Sequence, residues 1–416
     1  MPEVNRVSGQ AESVPRGRAL LRQITRFFRG AGLEAPFSLA IISASIAAPV
    51  LIRLSAPGVQ SDIPTHAAMA ASMVETGGWF TYSLWYPLVY VTSSGSADPV
   101  LLREISVFFL VIAVVAKSLL VYYIGWAFTR NRCAAAVIAA LLLVAMPILN
   151  PWHSHDIYLG QISPNVWHNS TQIFALPFSL VAFAGAVTLL RRPSRSNALL
   201  FGILIFMSTL AKPNYTLALL PVLGLMLLWA MRGARIHSMR QIAIVGFAFL
   251  PPVLLMAYQY SLVFGAEGIR QTKIGFAPFD VWSIHSENIP ISIVLSFAGP
   301  VAVFLAVPRK WRSDQAIWLA WLVMAVSMLQ FALLAEQDVN GASLGSANFF
   351  WGSYSAIFMV FVVSAIALAR AYLEGQAAGG RRVALFTAFM FLSLHAGTGL
   401  YYMGRAGVSG FPVTRP

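Results

Sequence analysis

Long apolar runs separated by short polar connections fill the chain from residue 36 to residue 403. A helix needs about 20 mainly apolar residues to cross a bilayer, and on that criterion the pattern predicts about eleven spans. They lie near residues 36–56, 104–128, 133–150, 171–190, 197–212, 214–231, 241–263, 289–307, 315–335, 348–369 and 383–403. The sequence therefore predicts an all-α, polytopic membrane fold with a single transmembrane domain over 36–403. The break at Lys212–Pro213–Asn214 leaves open whether residues 197–231 form two spans or one re-entrant unit.

The positive charges along the chain predict its orientation in the membrane. Most of the 28 lysines and arginines lie in the N-terminal segment 1–35 and in alternate short connections between the apolar runs. Short loops rich in Lys and Arg face the cytoplasm, so the tail 1–35 is predicted to be cytoplasmic. With an odd number of spans, the C-terminal segment 404–416 is predicted to be extracytoplasmic.

Composition agrees with a membrane protein and restricts its partners. Hydrophobic residues make up 58% of the chain and charged residues 10%, whereas a soluble protein has about 25% charged residues. The net charge is +13. Because the cations gather at one membrane face, they indicate topology and contact with membrane lipid, and no nucleic-acid partner is predicted. The single cysteine, Cys133, excludes an internal disulfide framework and a CxxC metal site.

The connections on the other face differ in length and in chemistry. They cover about residues 56–103, 151–170, 264–288 and 336–347, and they hold most of the 15 acidic residues and most of the 7 histidines. Ionisable side chains close to the hydrocarbon are costly and are usually functional. The sequence therefore predicts that the functional site lies at the extracytoplasmic face.

The stretch SDIPTH, residues 61–66, opens the first of these outer connections. If a short interfacial helix begins here, Asp62 and His66 stand four residues apart and share one face of it. The AAMAASMVE segment that follows is a good helix former. Asp62 also suits the N-terminal cap of that helix, so a structural role and a chemical role are both open.

The second outer connection, NPWHSHDIYLGQISPNVWHNST, is dense in hydrogen-bonding side chains. Such a segment near the hydrocarbon boundary is expected to line a polar cavity. The candidate substrate-binding residues are His155, Asp156, Gln161, Trp167, His168 and Asn169. A divalent metal at His153, His155 and Asp156 is an alternative interpretation, although no cofactor is predicted to be required.

Cations and further polar residues complete the set of candidates. Lys212 lies at the outer end of a short span, where it can bind a lipid phosphate as a point charge or simply extend to the interface. Arg270 and Lys273 are further outer cations, and Glu336 and Asn348 flank the start of the tenth apolar run. These five residues, together with His66, are predicted substrate-binding residues.

The order of these motifs resembles the GT-C superfamily of integral-membrane glycosyltransferases. A first span is followed by an outer loop that opens with an aspartate, then by a predicted short helix and Gly77–Gly78–Trp79. The resemblance implies a polyprenyl-phosphate-linked sugar as donor, a glycan or lipid-linked acceptor, and transfer with inversion. It also implies an aspartate of the first outer loop as the catalytic base, and Asp62 occupies that place. The corresponding location is the inner membrane of a bacterium.

The resemblance thus implies an inverting glycosyltransferase with Asp62 as general base, and Lys212 is the first candidate for the cation at the leaving phosphate. Arg270 or Lys273 is the second candidate. Two alternatives remain open. One is a polysaccharide polymerase that acts on lipid-linked repeat units, and the other is a transporter of lipid or sugar that is not an enzyme.

Overall fold

The computed structural model describes residues 30, 32–59, 61–76, 82–149, 160–232, 239–264, 272–376 and 379–409. In chain order the elements are α1 (Glu34–Leu54), α2 (Asp62–Thr76), α3 (Trp85–Thr92), α4 (Pro99–Thr129), α5 (Arg132–Val144), α6 (Ser170–Arg191), α7 (Arg195–Ala211), α8 (Asn214–Arg232), α9 (Met239–Phe264), β1 (Lys273–Phe276), α10 (Asp280–His285), α11 (Ile289–Ala306), α12 (Arg309–Arg312), α13 (Gln315–Leu333), β2 (Leu334–Gln337), α14 (Phe350–Leu373) and α15 (Gly379–Ser409).

The apolar runs of the sequence are helices. Within the described ranges, eight are long and apolar enough to cross a membrane: α1, α4, α6, α9 from Val245, α11, α13, α14 and α15 as far as Ala406. The shorter apolar helices α5, α7 and α8 occupy the remaining predicted runs. The prediction of an all-α, polytopic membrane fold is therefore confirmed. Residues 197–231 form two helices, and Lys212 between them has an extended backbone.

Helices α6 and α14 form the centre of the bundle. In each, 78% of the most apolar window is buried within the protein, compared with 17% in α9. Helix α6 packs against α4 and α7, and α14 packs against α11 and α13. The side chains of α9 therefore lie largely at the surface of the bundle, while α6 is buried from its first residue, Ser170.

A buried amide fixes the loop that precedes α6. Asn165 donates hydrogen bonds from Nδ2 to the carbonyl oxygens of Leu142 (2.9 Å) and Ala145 (2.8 Å) at the end of α5. Its Oδ1 accepts a hydrogen bond from the ammonium of Lys117 in α4. Both Lys117 and Asn165 are buried. Lys117 therefore has a structural role, because its hydrogen bond connects α4 to the loop.

We expect Asn165→Leu to lower the free energy of unfolding by at least about 1–3 kcal/mol, because even one buried polar group left without its partner costs that much and Asn165 has three partners. Thermal unfolding of the detergent-solubilised protein measures the effect. Asn197→Leu is the matched control, since the Asn197 amide donates to the Arg192 carbonyl in an exposed turn. Equal melting temperatures for the two variants would contradict the structural role of Asn165.

The two ends of the bundle have different chemistry. Asn169 caps α6 at one end, and at the other end Arg191 Nη2 bonds the Asp314 carboxylate at 2.6 and 2.8 Å. Helix α6 has 22 residues, so a rise of 1.5 Å per residue separates these ends by about 33 Å. We refer to them as the outer end, which carries Asp62 and Asn169, and the arginine-rich end.

Candidate functional site

A cavity of about 460 Å³ lies at the outer end of the bundle. Its polar lining includes His66, Tyr86, Asn169, Thr171, Lys212, Asn214, Gln259, Glu336 and Asn348. Its apolar lining includes Leu217, Met256, Val263, Phe264, Ile274, Leu334 and Phe349. Asn169 and the first turn of α6 contribute polar groups to this lining, and α9 contributes Met256, Val263 and Phe264, which we call the apolar side of the cavity.

Asp62 is the first residue of α2 and is tied to the loop before α6. Its backbone N–H donates to the His168 carbonyl at 3.0 Å. Its Oδ2 accepts a hydrogen bond from Asn169 Nδ2 at 2.7 Å. The Asp62 side chain remains 44% exposed, so one hydrogen bond holds it beside the cavity lining while a second molecule can still reach the carboxylate.

Asn169 connects the aspartate to its neighbours. As the cap of α6, its Oδ1 accepts from the backbone N–H of Gln172 at 2.9 Å, and this bond fixes which end of the amide is the oxygen. Nδ2 is therefore the donor, and it lies 2.7 Å from Asp62 Oδ2 and 3.1 Å from His66 Nε2. Asp62 and His66 converge on one amide, as a shared helix face requires.

The same amide determines the tautomer of His66. Because Asn169 Nδ2 can only donate, His66 Nε2 is the acceptor and the ring proton is on Nδ1. That proton is donated to the Tyr86 hydroxyl at 2.6 Å, which also accepts from the Tyr82 hydroxyl at 3.2 Å. His66 is therefore neutral in this arrangement, and it orients Asn169 and adds no positive charge next to Asp62.

Lys212 approaches Asn169 from the other side. Its Nζ donates to Thr171 Oγ1 at 2.9 Å and to Asn169 Oδ1 at 3.4 Å, and it lies 4.3 Å from the centre of the Trp351 ring. Burial lowers the pKa of the Lys212 ammonium to about 7, and the Asp62 carboxylate opposes that shift. One amide thus separates a carboxylate from an ammonium group.

His168 lies between these charges. Its Nε2 is 3.8 Å from Asp62 Oδ2, and its ring centre is 5.9 Å from that of Trp351. Burial lowers the pKa of the imidazole below its ordinary value, the Asp62 carboxylate opposes this, and the Lys212 ammonium adds to it. His168 is therefore neutral at pH 7, and the carboxylate keeps its negative charge available.

Glu336 and Asn348 form the opposite wall. Glu336 is buried in β2, where Oε1 accepts from Asn348 Nδ2 at 2.7 Å and Oε2 accepts from the Ser346 hydroxyl at 3.2 Å. The Asn348 carbonyl in turn accepts from Asn214 Nδ2 at 2.8 Å. These bonds hold β2 and the start of α14 against the break between α7 and α8.

The structure brings together part of the predicted set. His66, Asn169, Lys212, Glu336 and Asn348 line the cavity, while Asp62 and His168 adjoin it through their contacts with Asn169 and Trp351. His153, His155, Asp156 and Arg270 lie outside the described residues. The possible metal ligands among them are therefore also outside, and the described part of the chain holds no group of three or more His, Cys, Asp or Glu side chains that could bind a metal.

Three predicted residues do not reach the cavity. Gln161 is buried and donates to the Ile148 carbonyl at 3.2 Å. Trp167 is buried with its ring centre 5.7 Å from Lys117 Nζ. Lys273 is exposed on β1, and its neighbour Ile274 is the strand residue that lines the cavity. The first two support the loop, and strand alternation points the third away, so all three are left out of the site.

Other residues of the site are not among the predicted substrate-binding residues. Thr171 and Trp351 both contact Lys212, and Tyr86 bonds His66. Thr171 lies two positions after Asn169, and Tyr86 and Trp351 belong to aromatic-rich segments. Nothing in a single sequence distinguishes these two aromatic residues from members of an aromatic belt at the membrane interface.

We expect Asn169→Ala to reduce turnover at least about tenfold, because it removes the amide that positions Asp62, His66 and Lys212. It also removes a helix cap, at a cost of about 1 kcal/mol. Asn131→Ala is the matched control, since Asn131 caps α5 through the same type of bond. Similar thermal stability with activity lost in the Asn169 variant alone supports the bridging role. Equal activity in both variants contradicts it.

Comparison with known proteins gives similarity at the level of structure. No protein-family model matches the sequence, and no curated protein is significantly similar to it. ArnT from Cupriavidus metallidurans in the apo state aligns with 94% of this chain and 78% of its own, with a TM-score of 0.48 and 14% identity. The apo oligosaccharyltransferase of Archaeoglobus fulgidus aligns with 91% of this chain and 56% of its own, with a TM-score of 0.37 and 14% identity.

At these TM-scores and this identity, the likeness concerns the general course of the helices and carries no substrate or residue role to this chain.

Proposed function

We propose that this chain is a membrane glycosyltransferase that moves a sugar from a polyprenyl-phosphate donor to a glycan or lipid-linked acceptor at the extracytoplasmic face, with inversion. The observation that carries the proposal is the bridge Asp62–Asn169–Lys212, in which one amide holds a carboxylate at 2.7 Å and an ammonium at 3.4 Å. Glycosyl transfer from a phosphate needs these two groups, a base for the acceptor hydroxyl and a cation for the departing phosphate.

The apolar side of the cavity suits the donor lipid. Met256, Tyr260, Val263 and Phe264 line it, and they belong to α9, whose other side chains lie largely at the surface of the bundle. An isoprenoid chain in the bilayer can therefore lie against α9 with its phosphate next to Lys212. The sugar then occupies the polar side, near Asn169 and Asp62.

In the transfer step, the oxygen of the acceptor hydroxyl forms a bond to the anomeric carbon of the sugar. Asp62 accepts the proton that this hydroxyl loses. The bond from that carbon to the phosphate oxygen breaks on the opposite face, and the electron pair leaves with polyprenyl phosphate. The sugar passes through an oxocarbenium-like transition state. Negative charge grows on the departing phosphate, so Lys212 stabilises the transition state more than the ground state.

The neutral histidines have supporting roles in this scheme. His66 and Tyr86 orient the Asn169 amide, and His168 contacts Asp62 without neutralising it. Glu336 and Asn348 lie on the facing wall, where they can bind hydroxyl groups of the donor sugar or the acceptor.

The direct test is an assay of the purified protein with a panel of polyprenyl-phosphate sugars and lipid-linked glycan acceptors. We expect release of free polyprenyl phosphate together with a glycosylated acceptor. A polymerase would instead require lipid-linked repeat units and lengthen them. A transporter would move a substrate across proteoliposomes without cleaving it, and either of those outcomes would overturn the proposal.

A further inference from the structure

A second cavity, of about 360 Å³, lies at the arginine-rich end of the bundle. It is formed by the ends of α4, α6, α13 and α14 that lie farthest from the outer site. Its walls are almost entirely apolar and include Ile124, Phe183, Val187, Ile317, Val363 and Ile366. A cavity with such walls between membrane helices suits a hydrocarbon chain.

The mouth of this cavity is cationic and aromatic. Arg191 and Arg370 both line it, together with Trp311 and Asp314. The Arg370 guanidinium lies 3.6 Å from the centre of the Trp311 ring, and Lys310 Nζ lies 4.9 Å from the same ring. The Arg191 guanidinium lies 4.9 Å from the centre of the Phe128 ring. Stacking on aromatic rings holds these cations in place before any ligand arrives.

Two carboxylates, Asp314 at the mouth and Glu374 beside it, neutralise only part of this charge. Asp314 bonds Arg191, and Glu374 bonds Lys310 at 2.6 Å and lies 3.7 Å from Arg370. Arg309 and Arg312 of α12 add two more cations beside Trp311. The bond to Asp314 uses Nη2 of Arg191, and a guanidinium has five N–H donors in all, so Arg191 can hold Asp314 and a second anion together.

We propose that this cavity binds one anionic phospholipid, with an acyl chain between α6, α13 and α14 and the phosphate at Arg191 and Arg370. The apolar walls and the cationic mouth match the two parts of that molecule. Basic clefts between membrane helices are a known setting for anionic headgroups. The N-terminal segment of the chain is strongly basic, so charge repulsion disfavours it as the occupant of a cationic mouth.

The test compares lipids that differ only in headgroup. The detergent-solubilised protein is titrated with phosphatidylglycerol or phosphatidylcholine of identical acyl chains, and bound lipid is counted by native mass spectrometry. We expect selective retention of phosphatidylglycerol and at least a tenfold loss of it in the double variant Arg191→Gln/Arg370→Gln. Arg195→Gln, an exposed arginine at the same end, should retain the lipid. Equal retention by the double variant, or equal retention of both lipids, overturns the proposal.

A second variant tests the acyl part without changing the ion pairs. Ala184 lines the cavity, and Ala184→Trp fills it. With a photoactivatable group on the acyl chain of phosphatidylglycerol, we expect labelling within residues 315–333 and 350–373 in the parent chain and its loss in Ala184→Trp. Unchanged labelling in that variant, or labelling confined to other helices, places the lipid elsewhere and overturns the site. Thermal unfolding of each variant shows that it is folded.

Discussion

Asp62→Asn is expected to lower the rate of sugar transfer by about 10²–10⁴-fold, the usual contribution of a positioned general base. The amide has nearly the same shape as the carboxylate and can still accept a hydrogen bond from Asn169 Nδ2. It cannot take up the acceptor proton at neutral pH. The substitution should therefore abolish proton transfer to residue 62 without disturbing the fold. Release of polyprenyl phosphate by the purified variant measures the loss of activity.

The matched control is Asp98→Asn. Asp98 is also an aspartate at the start of a helix, where its side chain accepts from the Val100 N–H, and it is exposed. Its replacement should leave transfer unchanged, and both variants should unfold at the temperature of the parent protein. Full activity in Asp62→Asn would remove Asp62 from the mechanism.

Lys212→Met is expected to reduce kcat/KM by about 10²–10³-fold, comparable to removing one preorganised donor that stabilises developing negative charge. Lys273→Met is the matched control, because Lys273 is exposed at the same outer end and does not line the cavity. The comparison of the two variants also decides between Lys212 and Lys273, the two lysines that the sequence analysis named as candidates to stabilise the leaving phosphate. A larger loss in the Lys273 variant would reverse that assignment.

The pH dependence of kcat/KM tests the same lysine independently. In the proposed mechanism the Lys212 ammonium is the active form, and burial lowers its pKa to about 7. The unliganded protein therefore loses the cation as the pH rises above about 7, and kcat/KM should fall there. Lys212→Arg should remove that decline, because arginine stays protonated above pH 12. A decline of the same midpoint in the arginine variant would show that another group titrates.

The fold could be predicted from the sequence because the bilayer imposes a length. Each apolar run near 20 residues must be a helix with all its backbone bonds internal, so the predicted runs and the helices coincide closely. The break at residues 212–213 was the exception. Helices α7 and α8 are short, and hydrophobicity alone does not separate two short helices from one re-entrant unit.

Individual residues of the site could be predicted from the sequence, but the contacts between them could not. Asp62, Asn169 and Lys212 stand out because polar groups near hydrocarbon are costly. Their meeting depends on bonds across 107 and 43 positions of the chain, which a single sequence does not specify. Trp167 is of a type common in sugar-binding sites, yet it is buried in the interior beside Lys117, a placement that depends on packing between the loop and α4.

Asn169 has two roles, and together they make the geometry of the site depend on the packing of α6 into the bundle. The side chain that begins α6 also holds the carboxylate and the ammonium. A nascent chain in which α6 has not yet entered the bundle therefore lacks the contacts of Asn169 with Asp62 and Lys212, even when all three residues have been synthesised. Under the proposed function, we therefore expect a chain arrested before α6 enters the bundle to transfer no sugar.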